Sequence, residues 1–136
     1  MEDCVFCKII AGQVPSKKLF ETEKVEAFLD AFPSTKGHSL IIPKKHYETL
    51  LEIPEEDLKE VIVVAKKVAE AIVNATKADG FSLVQNNKEA AGQLVKHVHF
   101  HIVPRFKDDG LKLTFPSNQA EEKVLLEMQE KIKKEL

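Results

Sequence analysis

The chain has 136 residues, 43% of them apolar, which is enough to build the core of one domain without disulfide bonds. Its 20 lysines and arginines nearly balance 22 aspartates and glutamates, so the net charge of -2 gives no basic surface for a nucleic-acid polymer. No apolar run approaches a membrane span, and the start, MEDCVFCKII, lacks the layout of a signal peptide. We therefore expect a cytoplasmic protein that binds neither a nucleic-acid polymer nor a membrane.

The first elements are predicted from apolar runs. Between Lys18 and Asp30, two short apolar runs flank the charged turn ETEK and predict a β-hairpin. The run GHSLIIP, residues 37–43, predicts a buried strand. Apolar residues at steps of three and four then predict one long helix, which begins after Pro54 with acidic residues in its first turn and stops at Gly80.

The second half of the chain adds two strands and a helix. Residues 81–85 and the segment that ends at Pro104 predict strands on either side of the polar loop NNKEAAG. An amphipathic pattern after Asn118, with Glu121 as part of a capping box, predicts a C-terminal helix. Strands that cluster in this way predict an α+β fold: an antiparallel sheet of about five strands with one long helix and a C-terminal helix. No repeat or linker interrupts the sequence, so we expect a single domain, residues 1–136.

The long helix is more apolar than one sheet face requires. Its sequence EVIVVAKKVAEAIV has apolar residues over more than one stripe. Two interpretations remain open: the extra face packs against a second copy, which predicts a homodimer, or the helix is buried within its own core.

Residues 96–103, KHVHFHIV, place histidines at every second position. Since alternate side chains of a strand share a face, His97, His99 and His101 lie on one face and the intervening apolar residues on the other. Three interpretations compete: a chance row of polar residues, a three-histidine metal site, and a nucleophilic imidazole with helpers that bind an anion. Three histidines in register, in a chain with five, make the first the weakest.

Cys4 and Cys7 form a C-x-x-C and are the only cysteines. In a reducing cytosol such a pair indicates metal ligands or redox thiols rather than a structural disulfide. A thioredoxin-like redox use is disfavoured because it needs the motif at a helix start after a strand.

Together these blocks resemble the histidine triad (HIT) family of nucleotide hydrolases and transferases. HVHFHIV matches its signature, in which each histidine is followed by a hydrophobic residue. Further matching segments, in the same order as in the family, are CVFCKII with VP after it, FLD, GHSLIIPKKH, and AGQ and PR on either side of the triad. Several blocks in the right order are far more specific than the triad alone.

The resemblance implies that His99 attacks the α-phosphorus of a purine nucleotide conjugate and forms a nucleotidyl-histidine that water later hydrolyses. It further implies that His101, Gln93 and Asn86 contact the phosphate. Asp30 would accept hydrogen bonds from the ribose hydroxyls.

The resemblance also implies walls for the base and support for the triad. Phe6 and Ile9, with Ile10 and Ala31, would line the base pocket, and His38 would support the triad by a hydrogen bond. From the residues alone, the apolar ones are equally typical of a core and His38 of a capping residue.

By the same resemblance, a C-x-x-C group within the family binds zinc. Cys4, Cys7, His46 and His97 would then complete a tetrahedral site with no open position, which makes the ion structural. Fixing His97 would steady the strand that carries the nucleophile two residues later.

Two departures bear on the substrate. Leu94 stands where the phosphoramidase branch usually has a serine, and the chain contains no tryptophan. Nucleoside phosphoramidates and dinucleoside polyphosphates therefore both remain as substrates. Two other classes of function also remain: a purine-nucleotide sensor with little turnover, and a hydrolase in which the histidine row holds a catalytic zinc ion.

Overall fold

The computed structural model describes residues 3–136. Its strands are β1 (Lys18–Glu21), β2 (Val25–Leu29), β3 (Ser39–Pro43), β4 (Gly80–Val84) and β5 (Phe100–Arg105), and its helices are α1 (Val5–Ile10), α2 (Glu55–Thr76) and α3 (Glu122–Glu135). The strands form one antiparallel sheet in the order β1-β2-β3-β5-β4. The predicted fold class is confirmed, including the five strands, the long helix and the C-terminal helix.

The long helix α2 covers one face of the sheet. Its buried stripe packs on strand residues that point to that face, and the cluster includes Val61, Val64, Ala65, Val68, Ala69, Ile72, Val25, Ala27, Ile41, Val98, Phe100 and Ile102. The helix ends four residues before the predicted stop, because Lys77 adopts the left-handed conformation with φ of 57°. Gly80 instead begins β4.

The opposite face of the sheet carries the short helix α1, which the sequence did not predict. Phe6 on α1 and Phe28, Leu40 and Ile42 on the strands form a second apolar cluster that also contains Cys4. The Cys4 Sγ accepts the backbone N–H of Cys7 at 3.4 Å and so caps the helix. A six-residue helix capped by cysteine lacks the length and the cap residues by which helices are recognised in a sequence.

The C-terminal segment leaves the sheet at the end of β5. Asp109 accepts hydrogen bonds from the Arg105 guanidinium and from the backbone of Phe106 and Leu111, which fixes the turn. Every residue from 112 to 136 is exposed, including all of α3. The last helix begins four residues after the predicted Asn118, and its N-cap, Glu121, makes no side-chain capping bond. Within residues 3–136, no helix combines the length and the apolar character needed to cross a bilayer.

Candidate active site and metal centre

The histidine segment has the alternation that its sequence predicts. Val98, Phe100 and Ile102 belong to the core beneath α2, whereas the ring of Phe6 on α1 contacts both His97 and His99 edge-on, with centroids 5.8 and 5.1 Å away. His101 lies within β5, whereas His97 lies in a bend and His99 in irregular backbone just before that strand. The three imidazoles therefore share the face that α1 covers.

His99 has one ring nitrogen free for chemistry. Its Nδ1 lies 2.7 Å from the carbonyl oxygen of His97, and since a carbonyl can only accept, Nδ1 carries the proton. The neutral ring then holds its lone pair on Nε2. Burial lowers the pKa of His99, which favours this neutral form at pH 7. The ring is thus held in the form that a nucleophile requires.

His101 has the opposite arrangement, which a chain of hydrogen bonds determines. The backbone N–H of Ser34 donates to Nδ1 of His38 at 2.9 Å, so the proton of neutral His38 resides on Nε2. That Nε2 lies 2.9 Å from Nδ1 of His101, which must accept, and the proton of His101 is therefore on its own Nε2. Burial, reinforced by His99 and His38, lowers the pKa of His101 to about 4. His101 consequently offers an N–H where His99 offers a lone pair.

Asp30 lies beside the same pair of histidines. Its Oδ1 accepts the N–H of Phe32 at 2.9 Å, and its Oδ2 lies 3.4 Å from Nε2 of His38. Asp30, His38 and His101 bring their ligand atoms close enough for a metal ion. The Ser34 bond argues against one, because His38 Nδ1 already uses its lone pair and Nε2 must keep its proton. Ser34, His38 and His101 form a hydrogen-bond chain, and Asp30 lies beside it.

A second cluster has the chemistry of a metal centre. One ligand atom from each of Cys4, Cys7, His46 and His97 lies within 4.8 Å of the others. His97 Nδ1 is 3.3 Å from Cys4 Sγ and 3.6 Å from Cys7 Sγ, and His46 Nδ1 is 3.4 Å from Cys7 Sγ. Zinc bonds of ordinary length in a tetrahedron would separate sulfur and nitrogen by about 3.5 Å. These four residues can hold a metal ion.

The buried ring of His97 is oriented for this purpose. Its Nε2 donates to the carbonyl of Pro43 at 2.8 Å, so the lone pair of Nδ1 faces the two sulfurs. Burial lowers the pKa of this fully buried ring to about 4. His97 thus contacts the cysteines through its side chain and His99 through its carbonyl, which connects the two sites.

Gln93 and Asn86 differ in what they offer a substrate. Both N–H groups of the Gln93 amide are donated to backbone carbonyls, of Glu48 at 2.7 Å and of Val95 at 3.0 Å. In this conformation Gln93 has no N–H left for a phosphate and instead braces the loop that precedes the histidines. Asn86 is half-buried, and its side chain makes no hydrogen bond with the described residues.

The apolar candidates also differ. Phe6 is 6% exposed and packed against two histidines and Phe28, whereas Ile9 is half-buried at the edge of the same cluster. No sequence pattern could indicate the roles of the Ser34 amide or of the Pro43 and His97 carbonyls, because backbone groups look alike in every sequence. Cys4 caps α1, a helix that the sequence analysis did not predict, and no described strand precedes that helix.

Comparisons with known proteins agree with this geometry. The model of the HIT domain matches residues 11–108, most of the chain. The chain is 41% identical to the adenosine 5'-monophosphoramidase of Candida albicans, over 98% of this chain and 91% of that protein. It is 48% identical to the adenylylsulfatase of Arabidopsis thaliana, over 80% of this chain and 55% of that longer protein.

Solved structures extend the likeness to the whole fold. A HIT family member from Bacillus subtilis superposes with a TM-score of 0.93 at 40% identity, covering 98% of this chain and 97% of that one. A Streptococcus mutans protein gives 0.95 at 44% identity, covering 99% and 86%. A zinc-bound histidine triad protein of Mycobacterium smegmatis gives 0.76 at 33% identity, covering 96% and 98%.

The prediction of an enzyme of the hydrolase class is confirmed by this kinship, since the relatives with named activities are hydrolases. The family model, the relatives and the histidine geometry lead to one conclusion: the chain belongs to the HIT family.

Proposed function

We propose that this protein hydrolyses purine nucleotide conjugates at the α-phosphate through a nucleotidyl-histidine intermediate. One observation carries the proposal: two histidines on one face, with ring centroids 5.0 Å apart, hold opposite tautomers. A lone pair beside an N–H is what a two-step displacement at phosphorus requires, one to attack and the other to meet charge on the phosphate or leaving group.

In the first step, Nε2 of His99 forms a bond to the α-phosphorus while the bond to the leaving group breaks. The bound phosphate raises the pKa of His101 by its negative charge, so that Nδ1 takes up a proton from solvent in place of the bond from His38. The imidazolium then gives its Nε2 proton to the leaving group, which leaves Nε2 with a lone pair. In the second step, water attacks the phosphorus and loses a proton to neutral His101, and the bond to His99 breaks. His99 is thereby restored.

Other residues would position the nucleotide. Asp30 keeps an oxygen for the ribose hydroxyls, and the free amide of Asn86 can donate to the phosphate. Ile9, beside Phe6, supplies an apolar contact for the base. Gln93 would act indirectly, by holding the loop through its backbone bonds.

The preferred substrate class in this proposal is nucleoside phosphoramidates. The support is the Candida albicans relative, named for that activity, which this chain matches over almost its whole length. Leu94, 93% exposed, leaves the leaving-group side without the hydroxyl of a serine. Proton transfer to the leaving group would then fall to His101.

We further propose that the four-residue cluster binds structural zinc. The support is the spacing of sulfur and nitrogen atoms and the zinc-bound Mycobacterium smegmatis neighbour. Four protein ligands leave no open position, so the ion would hold α1 against the segment that carries His99. The setting would be the cytoplasm, where both cysteines stay reduced.

The proposed active form is a homodimer of one-domain chains, residues 1–136. Ile62 and Val63 on α2 and Phe81 and Leu83 on β4 are exposed by 42 to 65%. Phe81 and Leu83 lie on the edge strand β4, which has a partner on one side. A second copy would cover this apolar face.

The test is covalent trapping with substrate labelled at the α-phosphorus, using adenosine and guanosine phosphoramidates and dinucleoside polyphosphates. The wild type should form an acid-labile adduct and release nucleoside monophosphate, and His99→Ala should form none. His101→Ala should still form the adduct, at a rate about 100-fold lower.

Two results would overturn the proposal. Nucleotide binding without adduct or turnover would identify a sensor. Immediate loss of activity with a chelator, while the chain stays folded, would identify a catalytic metal.

A further inference from the structure

The peptide group between His97 and Val98 is hydrogen-bonded on both of its sides. Its carbonyl, that of His97, accepts the Nδ1 proton of His99 at 2.7 Å and so fixes the tautomer of that ring. Its N–H, that of Val98, donates to the carbonyl of Tyr47 at 2.7 Å. A peptide group is planar, so the bond that holds the N–H also sets the direction of the carbonyl that holds His99.

The strand ladders of the sheet do not reach this peptide group. The ladder that joins β3 to β5 begins at Phe100, and the ladder that joins β4 to β5 begins at His101. Residues 97–99 come before both ladders and lie outside regular secondary structure. The bond from Val98 to the Tyr47 carbonyl therefore holds the histidine segment at a place where strand pairing does not.

Tyr47 is in turn anchored by its side chain. It packs against the core cluster between α2 and the sheet, and its hydroxyl donates to Oδ2 of Asp57 at 2.8 Å. Asp57 lies in the first turn of α2 and is 7% exposed, and its Oδ1 lies 3.5 Å from Nζ of Lys24. Tyr47 itself lies in irregular backbone, so the bond to Asp57 connects its carbonyl to a long helix.

We propose that Tyr47 is a positioning residue for the reaction of His99. Its hydroxyl, bonded to Asp57, fixes the carbonyl that holds the Val98 N–H, and the same peptide group holds the His99 ring in the form that can attack. Poor alignment of a nucleophile slows the reaction even when the substrate still binds, because attack requires one direction of approach. The inference rests on the proposed function, since it assigns Tyr47 a part in that reaction.

The first measurement compares turnover of an adenosine phosphoramidate by Tyr47→Phe and Thr22→Val, in the full-length protein well below its unfolding transition. Both variants remove a hydroxyl that donates to a carboxylate on α2, because Thr22 donates to Glu60. They differ in that the carbonyl of Tyr47 holds the Val98 N–H. We expect Tyr47→Phe to lower kcat about tenfold and to change KM less than twofold. Thr22→Val should keep kcat within about twofold of wild type.

The second measurement asks whether a conservative variant of Asp57 restores the rate. Asp57→Asn and Asp57→Ala both remove the charge, but asparagine keeps a side-chain oxygen that can accept the Tyr47 hydroxyl. Asp57→Ala should lower kcat about as much as Tyr47→Phe, roughly tenfold, whereas Asp57→Asn should lower it less than about threefold. The double variant Tyr47→Phe/Asp57→Ala should be no slower than the slower single variant, because both changes remove the same bond.

The third measurement needs no substrate. Deuterium exchange of the Val98 amide, followed by NMR relative to the amides of β5, should be about tenfold faster in Tyr47→Phe than in wild type and unchanged in Thr22→Val. Wild-type kcat in Tyr47→Phe, an equal loss of kcat in Thr22→Val, or unchanged Val98 exchange would each overturn the role of Tyr47. A wild type without turnover or adduct would instead overturn the proposed function, from which the inference follows.

Discussion

At the scale of single residues, His99 and His101 have the same side chain and differ in which nitrogen carries the proton. A carbonyl next to His99 fixes one tautomer, and His38, itself fixed by the Ser34 amide, fixes the other. His97 and His38 are buried, and the Ser34 donor is a backbone N–H. The protein thus holds one residue type in two tautomers by different hydrogen-bond partners.

Replacing His38 with phenylalanine tests this assignment. His38→Phe keeps a ring of similar size but removes the N–H that His101 accepts. We expect kcat to fall about tenfold or more with little change in KM, because proton transfer by His101 weakens. ¹⁵N NMR should show a mixture of His101 tautomers. The control is Ser34→Ala, which keeps the backbone N–H and should behave as wild type. An unaltered His101 tautomer in His38→Phe would contradict the proposed hydrogen bonding from Ser34 through His38 to His101.

Glu26 is a buried carboxyl that no proposed role uses. It is 2% exposed, its Oε2 has no hydrogen-bond partner among the described residues, and Lys18 Nζ approaches Oε1 only to 3.8 Å. Burial raises its pKa above the ordinary value. A raised pKa means that the folded state favours the proton, so the stability it contributes is lost as the pH rises through the folded pKa.

Glu26→Gln should therefore stabilise the protein at neutral pH. We expect a gain of about 1 kcal/mol in the free energy of unfolding at pH 7.5, shrinking toward pH 5, because the amide has no charge to bury. Urea titrations across this range measure it. Exposed Glu21 is the control: Lys44 and Lys18 lower its pKa, so Glu21→Gln should give no gain. A Glu26→Gln variant less stable at pH 7.5 than at pH 5, relative to wild type, would refute the argument.

At the scale of elements, α1 joins the two sites. Its cap, Cys4, faces His97, and its Phe6 ring contacts His99. A metal ion bound by both cysteines would fix the helix to the strand segment and thereby fix the ring that packs on His99.

Metal analysis tests this link. Protein purified without added zinc should contain about one equivalent per chain, and Cys4→Ser should lose it, since three remaining ligands bind far more weakly. Lys45→Ala, next to His46 but without a ligand atom in the cluster, should keep the metal. After chelation, the amides of α1 should exchange faster with deuterium. If the α1 amides exchange with deuterium at the same rate in metal-free protein, the metal does not hold α1 in place.

Gly37 holds α2 close to the strand that begins with Ser39. Its φ is +95°, and a Cβ there would lie 3.0 Å from Thr76 Cγ2 and 3.3 Å from Pro104 Cγ. Gly37→Ala should lower the free energy of unfolding by about 2 kcal/mol, from backbone strain together with crowding. Gly12 has φ of +76° and open space around it, so Gly12→Ala is the control. It should lower the free energy of unfolding by only about 1 kcal/mol. Equal losses in urea titrations would mean that crowding contributes nothing.

At the scale of the whole molecule, the sheet has two unlike edges. β4 presents Leu83 and β1 presents Leu19, exposed by 46 and 45%. Leu83 belongs to the apolar face of the proposed dimer, whereas Leu19 lies on the opposite edge of the sheet. The two leucines therefore distinguish a specific interface from general surface hydrophobicity.

We expect Leu83→Arg to convert the dimer to monomer at micromolar concentration, because a charge at the centre of an apolar interface is costly. Leu19→Arg should leave the dimer intact. Light scattering after size exclusion measures both molar masses. Equal masses for the two variants would exclude the β4 edge as the interface.

The sequence by itself determined much of this molecule. Apolar periodicity predicted the sheet and the long helix, and alternation predicted that the three histidines share a face, because both depend on local geometry. The residue types also limited the chemistry, since cysteine with histidine favours a metal and an imidazole can act as a nucleophile near neutral pH. The residue-by-residue roles stay predictions.

Only the tertiary structure decided how each group is used. The tautomers of His101 and His99 depend on the Ser34 amide and the His97 carbonyl. The orientation of the His97 ring depends on its bond to the Pro43 carbonyl. The side-chain amide of Gln93 is occupied because it donates to backbone carbonyls of two loops. Several of these partners are far apart in the chain, and backbone groups are the same in every residue except proline. Whether a polar group is free or already bonded is therefore decided by packing and cannot be read from the order of residues.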